Sequence, residues 1–141
     1  MPIYLLLHKM INFKIQKNIK FIFETEENLK IRADQLLMTS LVMNLLNNSI
    51  KYNKVNGFIK IKTSRGSNGV EISIEDSGIG IPEKDLPLIF NRFYKTDFTR
   101  NIEGSGIGLS IVKWIAEAHK GSIEVSSKSG VGTKFIIKLP L

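Results

Sequence analysis

Two alternating apolar–polar runs on either side of a Gly-rich turn, a long run free of Gly and Pro, and a closing pair of alternating runs predict an α+β two-layer sandwich. Because its strands come mostly as consecutive hairpins, the sheet is expected to be mixed and mostly antiparallel, with helices on one face. A length of 141 residues suits one such domain. With 43% hydrophobic and 23% charged residues the chain has enough apolar surface to bury a core and is not of disordered composition.

The elements follow in order. Residues 1–18 read as a remnant or linker, with Leu6, Met10 and Phe13 at helical spacing; the domain spans 19–141. Ile19 to Thr25 and Leu29 to Ala33 read as two strands of a hairpin around Glu26-Glu27-Asn28. Asp34 is placed as the N-cap of a helix over Gln35 to Asn53, with Leu36, Leu37, Leu41, Leu45 and Leu46 apolar. After a break at 53–57, Phe58 to Thr63 and Val70 to Glu75 are strands joined by the turn Arg65–Gly69, with Val70, Ile72 and Ile74 inward. Glu83 to Phe93 reads as a short helix containing Pro87, and 94–105 as an aperiodic loop. Gly106 to Lys120 returns to helical period through Ile107, Ile111, Trp114 and Ala118, with Gly121 as its cap. Ser122 to Ser127 and Gly132 to Leu139 are the closing strands.

Composition removes several kinds of chemistry. The absence of Cys excludes a disulfide framework, a thiolate metal site and a Cys nucleophile. No apolar stretch approaches the roughly 20 residues of a membrane helix. Ile3–Leu7 is too short, and it lacks the basic start and cleavage site of a signal peptide. A cytoplasmic chain is expected, any membrane attachment lying in other segments. The net charge of +7 favours phosphate ligands, but the lysines are scattered, so no nucleic-acid partner is expected.

Three motifs carry chemistry. Asp76-Ser77-Gly78-Ile79-Gly80 and Gly104-Ser105-Gly106-Ile107-Gly108-Leu109 are Gly-rich, but neither is a P-loop or a dinucleotide fingerprint. Taken alone, such glycines are also what a tight turn needs. The second loop leads into a helix, whose unpaired N–H groups suit a phosphate. The first begins with a carboxylate at a strand end, an acceptor able to read an exocyclic amine. In the third motif Asn44, Asn48 and Lys51 share one helix face, the pattern of any solvated polar face or of hard amide ligands for Mg²⁺ beside a phosphate cation.

In this order these pieces resemble the catalytic ATP-binding domain of bacterial sensor histidine kinases, the Bergerat fold shared with DNA gyrase and mismatch-repair ATPases. Asn44–Tyr52 resembles the N box, Asp76–Gly80 and Gly104–Gly108 the two glycine boxes, and Ile89–Tyr94 the F box; the likeness covers roughly residues 19–140. The resemblance implies that Asn48 coordinates Mg²⁺ with Asn44 assisting, that Lys51 contacts phosphate and that Tyr52 packs beside the nucleotide. It implies that Asp76 bonds the adenine amino group, with Thr133 in support, while Gly78 and Gly80 let the base sit close. Gly104, Gly106, Gly108 and Leu109 form the phosphate-side end of an ATP lid over about 94–105. Arg92 and Arg100 are further phosphate contacts, and Phe90 and Phe93 anchor the lid. The hydrolysing branches of the superfamily carry Glu where this chain has Asn44, which cannot accept a proton, so phosphoryl transfer with little hydrolysis is expected.

The family's phosphoacceptor segment is absent. His8 has no acidic neighbour, and His119 matches a structural position. The implied partners are therefore ATP or ADP, a histidine domain outside this chain and a downstream response regulator, the fragment itself being monomeric and unable to phosphorylate itself. Two other readings remain open at this point: a stand-alone serine protein kinase of the anti-sigma-factor type, and a non-catalytic nucleotide-binding module.

Overall fold

Alternation decides the centre of the sheet. β2 (Phe58–Arg65) and β3 (Gly69–Asp76) form the expected hairpin, with Ile61 opposite Ile74 and Ile59 opposite Asp76. On the other side β3 pairs antiparallel with β5 (Gly132–Pro140), with Ile72 opposite Ile137 and Asp76 opposite Thr133. β4 (Ser122–Lys128) closes that edge against β5. The structure, a computed structural model, describes residues 17–97, 99–100 and 106–140. Residues 1–16, including the Leu6–Met10–Phe13 spacing and His8, lie outside the described residues.

The other edge differs from expectation. β1 (Lys20–Thr25) runs parallel to β2, with Phe21 beside Ile59 and Phe23 beside Ile61. Parallel neighbours need a crossover, and α1 (Gln35–Lys51) is that crossover. Leu29 to Ala33 is therefore not a strand: it is connection, with Leu29 and Ile31 partly packed on the core. The sheet order is β1-β2-β3-β5-β4.

α1 starts as its sequence indicates, the Asp34 carboxylate accepting the Leu37 N–H at 2.9 Å. It buries Leu41, Leu45 and Leu46 completely, while Leu36 is 81% exposed. The Lys17 ammonium donates to the carbonyls of Ile50, Lys51 and Asn53 at the far end of α1, at 3.0, 2.6 and 3.1 Å. A cation there meets the negative end of the helix dipole.

The next segment is a 3-10 helix over Glu83–Leu88, not a helix reaching Phe93. Pro87 supplies no N–H to extend it, and Phe93 takes a left-handed φ of 62°. α2 (Gly108–Ala118) buries Val112, Ile115 and Ala116. The expected face through Ile111 and Trp114 is turned outward, Trp114 being 60% exposed. This short helix is apolar on two faces, so its spacing alone does not choose between them. Its end is a Schellman turn, with Lys120 N–H to the Glu117 carbonyl at 2.9 Å and Gly121 N–H to the Ala116 carbonyl at 2.8 Å. Lys120, not Gly121, takes the left-handed position, at φ 59°.

Both helices pack on the face of the sheet that carries Ile59, Ile61, Ile72, Ile74, Phe135 and Ile137. The opposite face is polar, with Lys138 bridging Glu71 and Glu124 and Lys60 paired with Glu24.

Candidate functional site

The inward row of β3 runs Val70, Ile72, Ile74 and then Asp76, so alternation puts a carboxylate where a core residue would follow. Asp76 is 8% exposed. Burial pushes its pKa up to about 6, although the Gly78 N–H, the Ser49 hydroxyl and the Thr133 backbone N–H act to lower it; Glu75 adds to the rise. The Gly78 N–H bond is 2.8 Å.

Behind the loop lies a buried polar brace. Ser77 Oγ donates to Asn53 Oδ1 at 3.0 Å and accepts from Phe58 N–H at 2.7 Å. Asn53 Nδ2 reaches the Phe58 carbonyl at 3.0 Å, tying the end of α1 to the start of β2, while Ser77 brings in the end of β3. The loop itself needs glycine at Gly80: φ is +72°, and a Cβ would stand 2.2 Å from the Lys128 carbonyl oxygen.

In front of Asp76 is a cavity of about 260 Å³. α1 lines it with Asn44, Asn47, Asn48, Lys51 and Tyr52. The Lys51 ammonium lies 5.4 Å from the Tyr52 ring centre, and burial raises the Tyr52 pKa. Asn44 Nδ2 is committed to the Ser40 carbonyl at 2.8 Å, which leaves its Oδ1 on the side of Gly108. Among the described residues the Asn48 side chain makes no hydrogen bond, so its amide oxygen is an uncommitted hard donor on the cavity wall. No cluster of three acidic or His residues suited to a metal occurs among the described residues. Any divalent ion here would rely on such amide oxygens and on its ligand's own oxygens.

Gly80, Gly106, Gly108, Leu109 and Thr133 also line the cavity. Thr133 Oγ1 is held 2.8 Å from Ser127 Oγ. Gly78 lies against the Tyr52 carbonyl behind the lining. Gly104 lies outside the described residues. Arg92 is exposed and does not line the cavity, and Arg100 is exposed and paired with Asp97 at 3.4 Å. Phe90 packs edge-on against Phe135, with ring centres 6.4 Å apart. Phe93 is 69% exposed and holds by its backbone instead, its N–H reaching the Gly106 carbonyl at 3.0 Å.

Several lining residues were not picked out from the sequence. Ile81, Ile89 and Phe135 make an apolar wall, while Tyr94, Lys95, Thr96 and Thr99 close the side nearest the aperiodic loop. Tyr94 is fixed by a short hydrogen bond from its hydroxyl to Asp85, which also raises the Tyr94 pKa. Phe135 was within reach of sequence reasoning, lying two residues after Thr133 on the same strand face. Lys95 and Thr99 sit where no periodicity exists.

His119 has both ring nitrogens engaged. Nε2 accepts the Asp34 N–H at 3.0 Å, and Nδ1 faces the Ile115 carbonyl at 2.8 Å, so the proton sits on Nδ1. The ring joins the end of α2 to the start of α1. Among the described residues no helix is long and apolar enough to cross a membrane.

Comparison with known proteins accords with this geometry. A family model described as "Histidine kinase-, DNA gyrase B-, and HSP90-like ATPase" matches residues 33–141. The sensor histidine kinase YclK of Bacillus subtilis is 40% identical over 129 residues, covering 89% of this chain and 27% of YclK. The chain spans about a quarter of the length of such relatives. Among solved structures, the catalytic domain of histidine kinase ThkA is 32% identical with a TM-score of 0.86, covering 98% of this chain and 90% of that one. ThkA has also been solved with the response regulator protein TrrA. Full-length ShkA in complex with AMPPNP gives a TM-score of 0.84 at 26% identity, covering 99% of this chain and 30% of that one. The chain belongs to the histidine kinase-, DNA gyrase B- and HSP90-like ATPases, as a catalytic ATP-binding domain of the sensor histidine kinase kind.

Proposed function

We propose that the domain binds Mg-ATP in the cavity before Asp76 and donates the γ-phosphate to a histidine on a separate domain, from which a response regulator takes it. The observation that carries this reading is the placement of a buried, pKa-raised carboxylate at one end of the cavity and of Asn48 and Lys51 along its α1 wall.

Asp76 accepts the adenine amino group, with Thr133 beside it and Ile81, Ile89 and Phe135 enclosing the base. Tyr52 flanks the nucleotide. Lys51 brings positive charge to the phosphates, worth roughly 4 kcal/mol at 4 Å and an effective dielectric of 20, before desolvation. The amide oxygens of Asn48 and Asn44 suit Mg²⁺, which when bound neutralises and aligns phosphate oxygens. Gly106, Gly108 and Leu109 bring the start of α2 to the phosphate side, where its N–H groups point outward. Lys95, lining the cavity, takes the phosphate-contact role expected of Arg92. Asn44 has no basic lone pair with which to activate water, so transfer to a partner dominates over hydrolysis. The nucleophile comes from outside this chain, and residues 19–141 act as one catalytic unit.

Calorimetry of ADP with and without Mg²⁺, on the wild type and Asp76→Asn, tests the reading. Binding strengthened by Mg²⁺ in the wild type and lost in the variant is expected. Equal binding by the two proteins sinks the role of Asp76, and no binding by the wild type sinks the site.

A further inference from the structure

Asp85, in the 3-10 helix, is buried at 6% exposure yet does not line the cavity. Its carboxylate accepts the hydroxyl of Tyr94, nine residues on, which does line it. A buried carboxyl group is costly without such a partner. The bond sits beside a strained point of the chain. Phe93, directly before Tyr94, holds a left-handed φ of 62°, which a residue with a Cβ keeps only where its surroundings enforce it. The Phe93 ring is 69% exposed and enforces nothing. The constraint comes instead from Phe93 N–H to the Gly106 carbonyl at 3.0 Å, from Tyr94 N–H to the Asn91 carbonyl at 3.2 Å, and from the Tyr94 hydroxyl on Asp85. From that anchor the chain lines the cavity with Lys95, Thr96 and Thr99, the last two joined by the Thr99 N–H on the Thr96 carbonyl at 3.0 Å. Another tie between this wall and the 3-10 helix is Lys84 with Asp97 at 3.7 Å, but both side chains are 72% exposed, and a pair so exposed contributes little.

We propose that Asp85 and Tyr94 form a positioning pair that acts through Lys95: their buried bond fixes the chain so that the Lys95 ammonium is presented to the phosphates of the nucleotide. This rests on the reading of the cavity as a nucleotide site with Lys95 as a phosphate contact. Among the described residues, Lys51 and Lys95 are the basic side chains that line the cavity. Lys51 stands at the end of α1, whose buried leucines fix the helix on the sheet. Lys95 stands in a stretch that is neither helix nor strand, so its direction depends on what holds that stretch. A lysine gives up rotamer freedom when it meets a phosphate, and a backbone already tethered spares the further cost of ordering the loop. Tyr94 is the residue next to Lys95, so the constraint passes to it through one peptide unit. The base end of the cavity is built differently, by Asp76, Thr133 and Phe135 on β3 and β5. Loss of the pair therefore weakens the hold on phosphate and leaves the hold on the base.

The test is a double-mutant cycle on the full chain, with Tyr94→Phe, Lys95→Met and the two combined. Each protein is titrated with ADP and Mg²⁺ by calorimetry, and with adenosine by NMR shifts. Melting curves first establish that the variants are folded. If Tyr94→Phe melts too low because Asp85 is left without its partner, Tyr94→Phe with Asp85→Leu removes both polar groups and takes its place. Lys95→Met is expected to weaken ADP about tenfold and Tyr94→Phe about three- to tenfold, with adenosine affinity unchanged in both. In the combined variant the loss is no greater than in Lys95→Met alone, because the tie then has no cation to position. Losses that multiply in the combined variant, adenosine weakened as much as ADP, or an unmoved ADP affinity in either single variant each overturn this inference alone. A wild type that binds neither ligand overturns the reading of the cavity and this inference with it.

Discussion

Asp76 continues an apolar row with a carboxylate, and two opposite pH dependences follow. Its pKa is raised from 3.8 to about 6 in the folded protein, so the native state holds this proton more tightly than the unfolded chain does. The resulting contribution to ligand-free stability is complete below about pH 4 and is lost as pH rises through about 6. On the proposed reading nucleotide binding runs the other way, since the charged form is the stronger acceptor for an amine: ADP affinity should fall as pH drops below about 6. Asp76→Asn should therefore melt higher than the wild type at pH 7.5, by about 1–2 kcal/mol, with the gain shrinking toward pH 4 in calorimetric scans. A variant that is no more stable at pH 7.5 contradicts the assigned cost of burying this charge. His119→Ala should cost about 1 kcal/mol, read as a melting point lower by roughly 3 °C. At this scale the sequence was legible as to which motif residues line the cavity, among them Asp76, Asn48, Lys51 and Thr133. It was not legible at Lys95 and Thr99, whose position depends on how an aperiodic loop folds back over the cavity, nor at Arg92, whose motif position says nothing of the direction of its side chain.

Elements whose partners are adjacent in sequence were the readable ones. The β2–β3 and β4–β5 hairpins are set by local alternation and turn residues. The β1–β2 pair joins strands separated by a whole helix, and no local pattern distinguishes it from a hairpin. The hydrophobic Leu29-to-Ala33 segment resembles a strand because packing against a core demands the same residues. α2 shows the limit of helical period, since both its faces satisfy the spacing. Its end offers a test: Lys120 holds a left-handed φ of 59°, which costs a residue with a Cβ about 1 kcal/mol relative to glycine. Lys120→Gly should raise the melting point by roughly 3 °C, with ADP affinity unchanged because the turn lies outside the cavity. Gly80→Ala should do the reverse and destabilise by about 2 kcal/mol or more, because the Lys128 backbone cannot yield as a side-chain tip could.

For the molecule as a whole, the cavity draws on α1, both glycine loops, the 3-10 region and β5, so a ligand there joins parts that the core alone holds less directly. Saturation with ADP at about 100 times its dissociation constant should add about 2.7 kcal/mol, a rise of roughly 8 °C in a melting scan. Asp76→Asn should show no such rise. The grip of Lys17 on three carbonyls at the end of α1 has a mechanical meaning. The helix end it holds also carries Lys51 and Tyr52, so a pull on residue 17 is in series with this wall of the cavity. Lys17→Met should sever that connection, seen as faster hydrogen exchange at Tyr52–Gly57 while the β3 and β5 amides keep their protection.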